Sequence, residues 1–445
     1  MKKIFILSCM MMVSLCMCAQ EMSPEDVFDM ISEAEKGNYK AQFKLGRMYL
    51  DGGDWVEKDE AKGVELIMKA AEPGDSHIHW YLGYMYQFGK GVTQDYAKAV
   101  EWFRKAADAE RGSASAQSVL GTMYYHGQGV TQDYAKAIEW FRKAAEQGSA
   151  DAQYNLGTMY YDGRGVTQDY AKAIEWYRKA AEQGDANAQF ALGTMYATGS
   201  GIAKDEAKAV EWFRKAAEQG DAEAQSNLGW MYDEGRGVSK DVVKAVEWYR
   251  KAAEQGFADA QYNLGYMYAT GSGIAKDEAK AVEWYRKAAE QGSASAYNNL
   301  GWMYDVGRGV SKDAVKALEL YKKAAEQGEK TAQFNVGWMY YNGRGVTKDK
   351  TKAEVWFKKA AEKQHPRSIA YIQAINGKYD EAIATMDDAI QLEQDNPNYY
   401  DSKGEFLYMK GDKEGAKAMW EKVISLDPKY SENNTPLYQY LFPSN

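Results

Sequence analysis

Asp151-Ala-Gln-Tyr-Asn-Leu-Gly-Thr-Met-Tyr-Tyr-Asp-Gly-Arg-Gly-Val-Thr-Gln-Asp-Tyr-Ala-Lys-Ala-Ile-Glu-Trp-Tyr-Arg-Lys-Ala-Ala-Glu-Gln-Gly-Asp185 is one copy of a unit that recurs along most of this 445-residue chain. Its Leu-Gly glycine, Val-Gly in the last copy, falls at Gly46, Gly83, Gly121, Gly157, Gly193, Gly229, Gly265, Gly301 and Gly337. The intervals are 37, 38 and then 36 six times over. A constant period of this size marks stacked supersecondary units, none large enough to bury its own apolar face.

Within the quoted copy, Ala152, Asn155, Leu156 and Met159 fall at helical spacing and Tyr160 continues the stripe. This is helix A. Gly157 sits inside it at a cost of ~1 kcal/mol relative to Ala. Its recurrence makes sense if a neighbouring helix packs too closely for a Cβ. Gly163 and Gly165 then allow positive φ and stop the helix. Helix B starts with Thr167 or Asp169 as its N-cap. Ala173, Ile174, Tyr177, Ala180 and Ala181 make its apolar face, bordered by Trp176. Lys172, Glu175, Arg178, Lys179 and Glu182 make its solvated face, and Gly184 closes it.

These motifs resemble the Sel-one-like repeat (SLR) family: Ala-x-Ala-Gln-x-x-Leu-Gly-x-Met-Tyr, then Gly-x-Gly-Val, then Lys-Ala-x-Glu-Trp-Tyr/Phe-x-Lys-Ala-Ala-Glu-Gln-Gly. The likeness covers nine copies over residues 41–364, nearly three quarters of the chain. It implies an all-α fold: a right-handed alpha-alpha superhelical solenoid of stacked helical hairpins, with helix A lining the concave face. It also implies an adaptor or scaffold, not an enzyme. Some secreted members carry a disulfide in each repeat; this chain has no cysteine beyond Cys18.

Both ends differ from the repeats. Residues 21–40 hold Ser23-Pro24-Glu25-Asp26, a helix start that predicts a capping helix over the first repeat. Residues 365–430 are similar to tetratricopeptide repeats. Pro397 to Pro428 reads as the true unit, and Ser368 to Leu392 as a degenerate copy. Residues 431–445 are left as a tail. Residues 1–20 read as a signal peptide: Lys2 and Lys3, an apolar run from Ile4 to Met17, then Cys18-Ala19-Gln20. Cleavage is expected after Ala19 or Gln20, giving a periplasmic or secreted protein with no membrane span. A lipid anchor is disfavoured, because Cys16 and Cys18 follow Leu15 and Met17. Without Lys2 and Lys3 the chain carries 53 basic and 64 acidic residues, a net charge of −11. A surface this acidic repels phosphate backbones, so no nucleic acid is expected as a partner.

No catalytic set is legible. Gly163-Arg-Gly165 follows a helix and lacks a third glycine and a Lys-Ser/Thr ending, which argues against a phosphate loop. His77 and His79 are two apart on a helix and point away from each other, so no metal site is expected. No serine has lysine three positions on, so a Ser-x-x-Lys nucleophile is missing. No cofactor is expected.

The variable positions carry the functional signal. After the glycine stand Arg47, Tyr84, Thr122, Thr158 and Thr194, then Trp230, Tyr266, Trp302 and Trp338. Three residues before it stand Tyr154, Phe190, Tyr262 and Phe334. By resemblance to the tetratricopeptide arrangement, the first set faces the concave groove. The eight aromatics of the two sets from Tyr154 onward are expected to contact a protein or peptide, because rings give large area at low entropy cost. A cell-envelope polysaccharide is the alternative ligand. Packing of the same rings between helices is the alternative role.

Overall fold

The structure, a computed structural model, describes residues 23–53, 55–108 and 112–428. The signal-peptide and C-terminal-tail expectations fall outside these residues. The described residues form 23 α-helices and no strand; a single β-bridge joins Gly53 and Val56. Contacts divide the chain into two units, Met1–Asp205 and Glu206–Asn445.

The first unit contains α1 (Pro24–Glu35), α2 (Tyr39–Asp51), α3 (Glu60–Ala70), α4 (Ser76–Phe88), α5 (Tyr96–Ala107), α6 (Ala114–His126), α7 (Tyr134–Glu146), α8 (Ala150–Asp162), α9 (Tyr170–Glu182) and α10 (Ala186–Thr198). The second contains α11 (Glu206–Glu218), α12 (Ala222–Glu234), α13 (Val242–Glu254), α14 (Ala258–Thr270), α15 (Glu278–Glu290), α16 (Ala294–Val306), α17 (Ala314–Glu326), α18 (Lys330–Asn342), α19 (Lys350–Glu362), α20 (Pro366–Ile375), α21 (Tyr379–Leu392), α22 (Pro397–Lys410) and α23 (Lys413–Leu426). Within each unit a helix B packs on its own helix A and on the helix A that follows, so both are stacks of helical hairpins. The chain is an all-α solenoid.

The hairpin α8/α9 shows why the sequence folds this way. Ser149 caps α8 by accepting from the Ala152 N–H, and Asp169, not Thr167, caps α9 by accepting from Lys172. Gly163 ends α8 in the left-handed region, at φ 68°. A Cβ on Gly157 would lie 2.7 Å from the Tyr177 ring, so the glycine admits that ring against the helix backbone. The buried face of α9 is Ala173, Ile174, Tyr177, Ala180 and Ala181, as the pattern predicts. Trp176 borders it under the Lys179 ammonium, 4.0 Å from the ring centroid. At the far end Gly404 plays the same part against Trp420, and α22/α23 is a hairpin of the same kind.

Seams between repeats are closed by a glutamine relay that periodicity does not reveal. Gln153 is buried; it donates to the Ala145 carbonyl at the end of α7 and accepts from Gln183 of the next seam, at 3.0 and 2.7 Å. Gln117, Gln225 and Gln261 do the same. At the last seam Lys363 stands where the donor glutamine belongs and bonds the Gly328 carbonyl, leaving Gln333 Oε1 buried with no partner.

The N-terminal helix α1 begins with a capping box between Ser23 and Asp26. Its Val27 and Ala34 pack with Ala41 and Leu45 of α2. His77 and His79 are structural: His77 packs edge-on against Phe43, and His79 Nε2 lies 3.0 Å from the Ala71 carbonyl.

Candidate binding surface

The glycine of each helix A faces helix B. The residue after it is turned by a further ~100° and leaves that contact. In the first unit this position holds Arg47, Tyr84 and three threonines; the hydroxyls of Thr122, Thr158 and Thr194 donate to carbonyls four residues back, each at 3.1 Å. In the second unit it holds rings that reach solvent: Trp230 is 38% exposed, Tyr266 49% and Trp302 37%.

An arginine from the following turn holds each tryptophan. Arg236 lies over Trp230 (4.5 Å to the ring centroid), Arg308 over Trp302 (4.9 Å) and Arg344 over Trp338 (5.2 Å). Arg236 is anchored in turn by Glu206, and Arg344 by Asp305 at 2.8 Å. A guanidinium stacked over a ring face favours that orientation of the ring.

Two cavities open beside the rings. One of about 400 Å³ lies between α12 and α14, with Glu223, Asn227, Trp230, Phe257, Asp259 and Tyr262 in its wall. The other, about 310 Å³, is walled by Tyr266, Tyr285 and Trp302, with Glu278, Asn299 and Arg308 as its polar lining. Asn299 donates to both the Tyr262 and Tyr285 hydroxyls, at 3.4 and 3.3 Å. Burial pushes both phenols above their ordinary range, with the Asn299 bond opposing.

Phe257 is a departure from the repeat. It occupies the N-cap of α14 and offers no side-chain acceptor, where Ser149, Asp185, Asp221 and Ser293 each cap their own helix A. Losing such a bond costs ~1 kcal/mol.

The eight rings expected from sequence do not form one surface. Trp230, Tyr266 and Trp302 are exposed. Tyr154, Phe190, Tyr262 and Trp338 are half-buried. Tyr154 and Tyr262 lean on the helix-B rings Tyr177 and Tyr285, 5.7 and 5.8 Å away, and Trp338 packs against the core. Phe334 is a correction: at 1% exposure it is core and reaches no partner. Phe357, His365 and Tyr371 close on its ring and Arg367 covers it at 4.2 Å, because the following hairpin begins with residues no other repeat has there.

Behind Phe334 lies a buried polar group. The Tyr371 hydroxyl donates to Glu405, whose carboxyl burial raises to about 7. Burial also lowers His365 to about 3; its Nδ1 caps α20 by accepting from Ser368 N–H at 3.3 Å. Among the described residues no group of three His, Cys, Asp or Glu is placed to hold a metal ion. None of the described helices is long and apolar enough to cross a membrane.

Residues 40–365 match the Sel1 repeat in nine consecutive copies. The chain belongs to the Sel1 repeat family. Sel1 repeat proteins are protein-interaction scaffolds. A tetratricopeptide repeat matches residues 368–396, the stretch that reads as the degenerate copy, one hairpin before Pro397–Pro428. Among solved structures, the chain is similar to a protective antigen of uropathogenic Escherichia coli displaying an SLR fold. Identity is 35%, with 94% of this chain and 97% of that one covered and a TM-score of 0.53. It is also similar to a Sel1 repeat protein from Oxalobacter formigenes at 36% identity, covering 68% and 88%, with a TM-score of 0.56. Chitin synthase regulator SKT5 of Saccharomyces cerevisiae is 36% identical over 78 residues, 17% of this chain; the match spans only 11% of that relative.

Proposed function

We propose that this Sel1 repeat protein is an exported scaffold that holds an extended peptide segment of a partner protein along α12, α14 and α16. One observation carries the reading: the exposed Trp230, Tyr266 and Trp302, two of them braced by arginine, stand at equivalent positions of successive repeats. Amides beside them, Asn227 and Asn299, suit the alternating N–H and C=O groups of an extended main chain. Replacing Trp302 by Ala tests this directly. Partner capture from cell-envelope extract should weaken by ~2 kcal/mol or more if the ring is a hot spot. Capture that survives protease treatment of the extract and is lost to glycosidase would make the ligand a polysaccharide and overturn the peptide reading. Export rests on Lys2, Lys3 and the Ile4–Met17 run. Sequencing of the mature protein should begin near Gln20 or Glu21, and an intact Met1 in the cytoplasmic fraction would refute it.

A further inference from the structure

The cavity between α12 and α14 has a chemistry of its own. Its walls include three rings, Trp230, Phe257 and Tyr262, and two carboxylates, Glu223 and Asp259. No lysine or arginine lines it. Arg236, which lies over Trp230, is paired with Glu206. The first turn of α14 adds the partial positive charge of a helix N-terminus, about half an elementary charge, which is less than the charge of one carboxylate. The cavity therefore favours a cation.

Phe257 adds an independent argument. At the start of α14 the chain gives up a capping oxygen that the other Sel1 repeats retain, and the ring it gains lines this cavity. A local rule broken with no gain to the helix itself points to a gain elsewhere. Aromatic faces attract cations through the ring quadrupole, and a carboxylate beside the ring strengthens the site. We propose that this cavity is a specificity pocket for a cationic side chain, lysine or arginine, of the bound segment. The proposal rests on the peptide-groove reading for its biological occupant, but the pocket can be probed without it.

The probes are N-acetyl-lysine methylamide, N-acetyl-arginine methylamide and the neutral N-acetyl-norleucine methylamide, titrated into the full chain. The readout is the indole N–H resonance of Trp230, assigned by its loss in W230F. The lysine or arginine probe should shift it saturably and norleucine should not. The double variant E223Q/D259N should abolish the response. F257S restores a capping hydroxyl, so its melting temperature should rise while its affinity for the cationic probe falls roughly 2- to 30-fold, the range of one cation–π contact. A residue with only a structural role would not produce that opposed pair. Equal shifts with norleucine, no shift with either cation, or an unchanged response in E223Q/D259N would overturn the pocket. Peptides selected from a random 12-residue library on the wild-type chain separate the two readings. Peptides lost with W302A but showing no enriched basic position leave the groove standing and remove the pocket. A cation response without any selected peptide removes the groove and leaves the pocket.

Discussion

The two units share a core and differ on the surface. At the residue after the helix-A glycine, the first unit spends Thr122, Thr158 and Thr194 on the helix's own carbonyls and packs Tyr84 against Trp80 and Phe88, while the second presents Trp230, Tyr266 and Trp302 to solvent. The buried alanines, leucines and methionines hardly change between them. Stacking is thus fixed by one set of positions and the exposed surface is left to another, so the surface can diversify without disturbing the fold.

Phe334 tests where this division stops. Phe334→Ala should cost ~3–5 kcal/mol of stability, because the ring is fully packed. A loss under ~1 kcal/mol, measured by denaturant unfolding, would return Phe334 to the surface. The same junction should show in pH. Burial raises Glu405 to about 7 from an ordinary 4.5, so ionising it costs more in the folded chain than in the unfolded one. The Glu405 contribution to stability should therefore fall as pH climbs from about 4.5 through 7, and Glu405→Gln should escape that fall. The variant's advantage should be near zero at pH 4 and reach up to about 3 kcal/mol above pH 7. His365, lowered from 6.5 to about 3, acts in the opposite sense across an overlapping range, but it is common to both proteins and cancels in the difference. An advantage independent of pH would show that Glu405 is not held protonated.

The surface side of the comparison predicts smaller changes in stability. Trp302→Ala should lose ~2 kcal/mol or more of partner binding, with a stability loss well below that of Phe334→Ala. A large drop in melting temperature would make the ring core. Thr122→Ala should be smallest, within ~0.5 kcal/mol in stability and without effect on binding. Loss of binding there would extend the contact surface into the first unit.

The hairpins were legible because each depends on residues close in sequence: glycine admits a ring 20 positions on, and aspartate caps the helix it precedes. Three features were not. The burial of Phe334 depends on His365 and Tyr371 of a different kind of repeat, which helical periodicity cannot foresee. The Arg-Trp stacking had a signal, since Trp230, Trp302 and Trp338 each have arginine six residues on, but a stripe analysis confined to one helix passes over it. Phe257 is visible as the one apolar residue at a position otherwise polar among the Sel1 repeats, yet only the cavity gives it a use.

The glutamine relay has a consequence for how this protein can change length. Every paired Gln–Gln bond spans 30 residues, so each seam is closed by parts that recur with the period. Excising residues 222–293 would bring α11 to the place of α15 in front of α16. Between Glu206 and Asp221 the incoming segment differs from residues 278–293 only in Phe213 for Tyr285 and Asp221 for Ser293. The junction would close with one tyrosine hydroxyl missing and one capping oxygen exchanged for another. The molecule is in this sense a ruler graduated in pairs of repeats. A single recombination event can lengthen or shorten it by 72 residues, with every remaining repeat still in register.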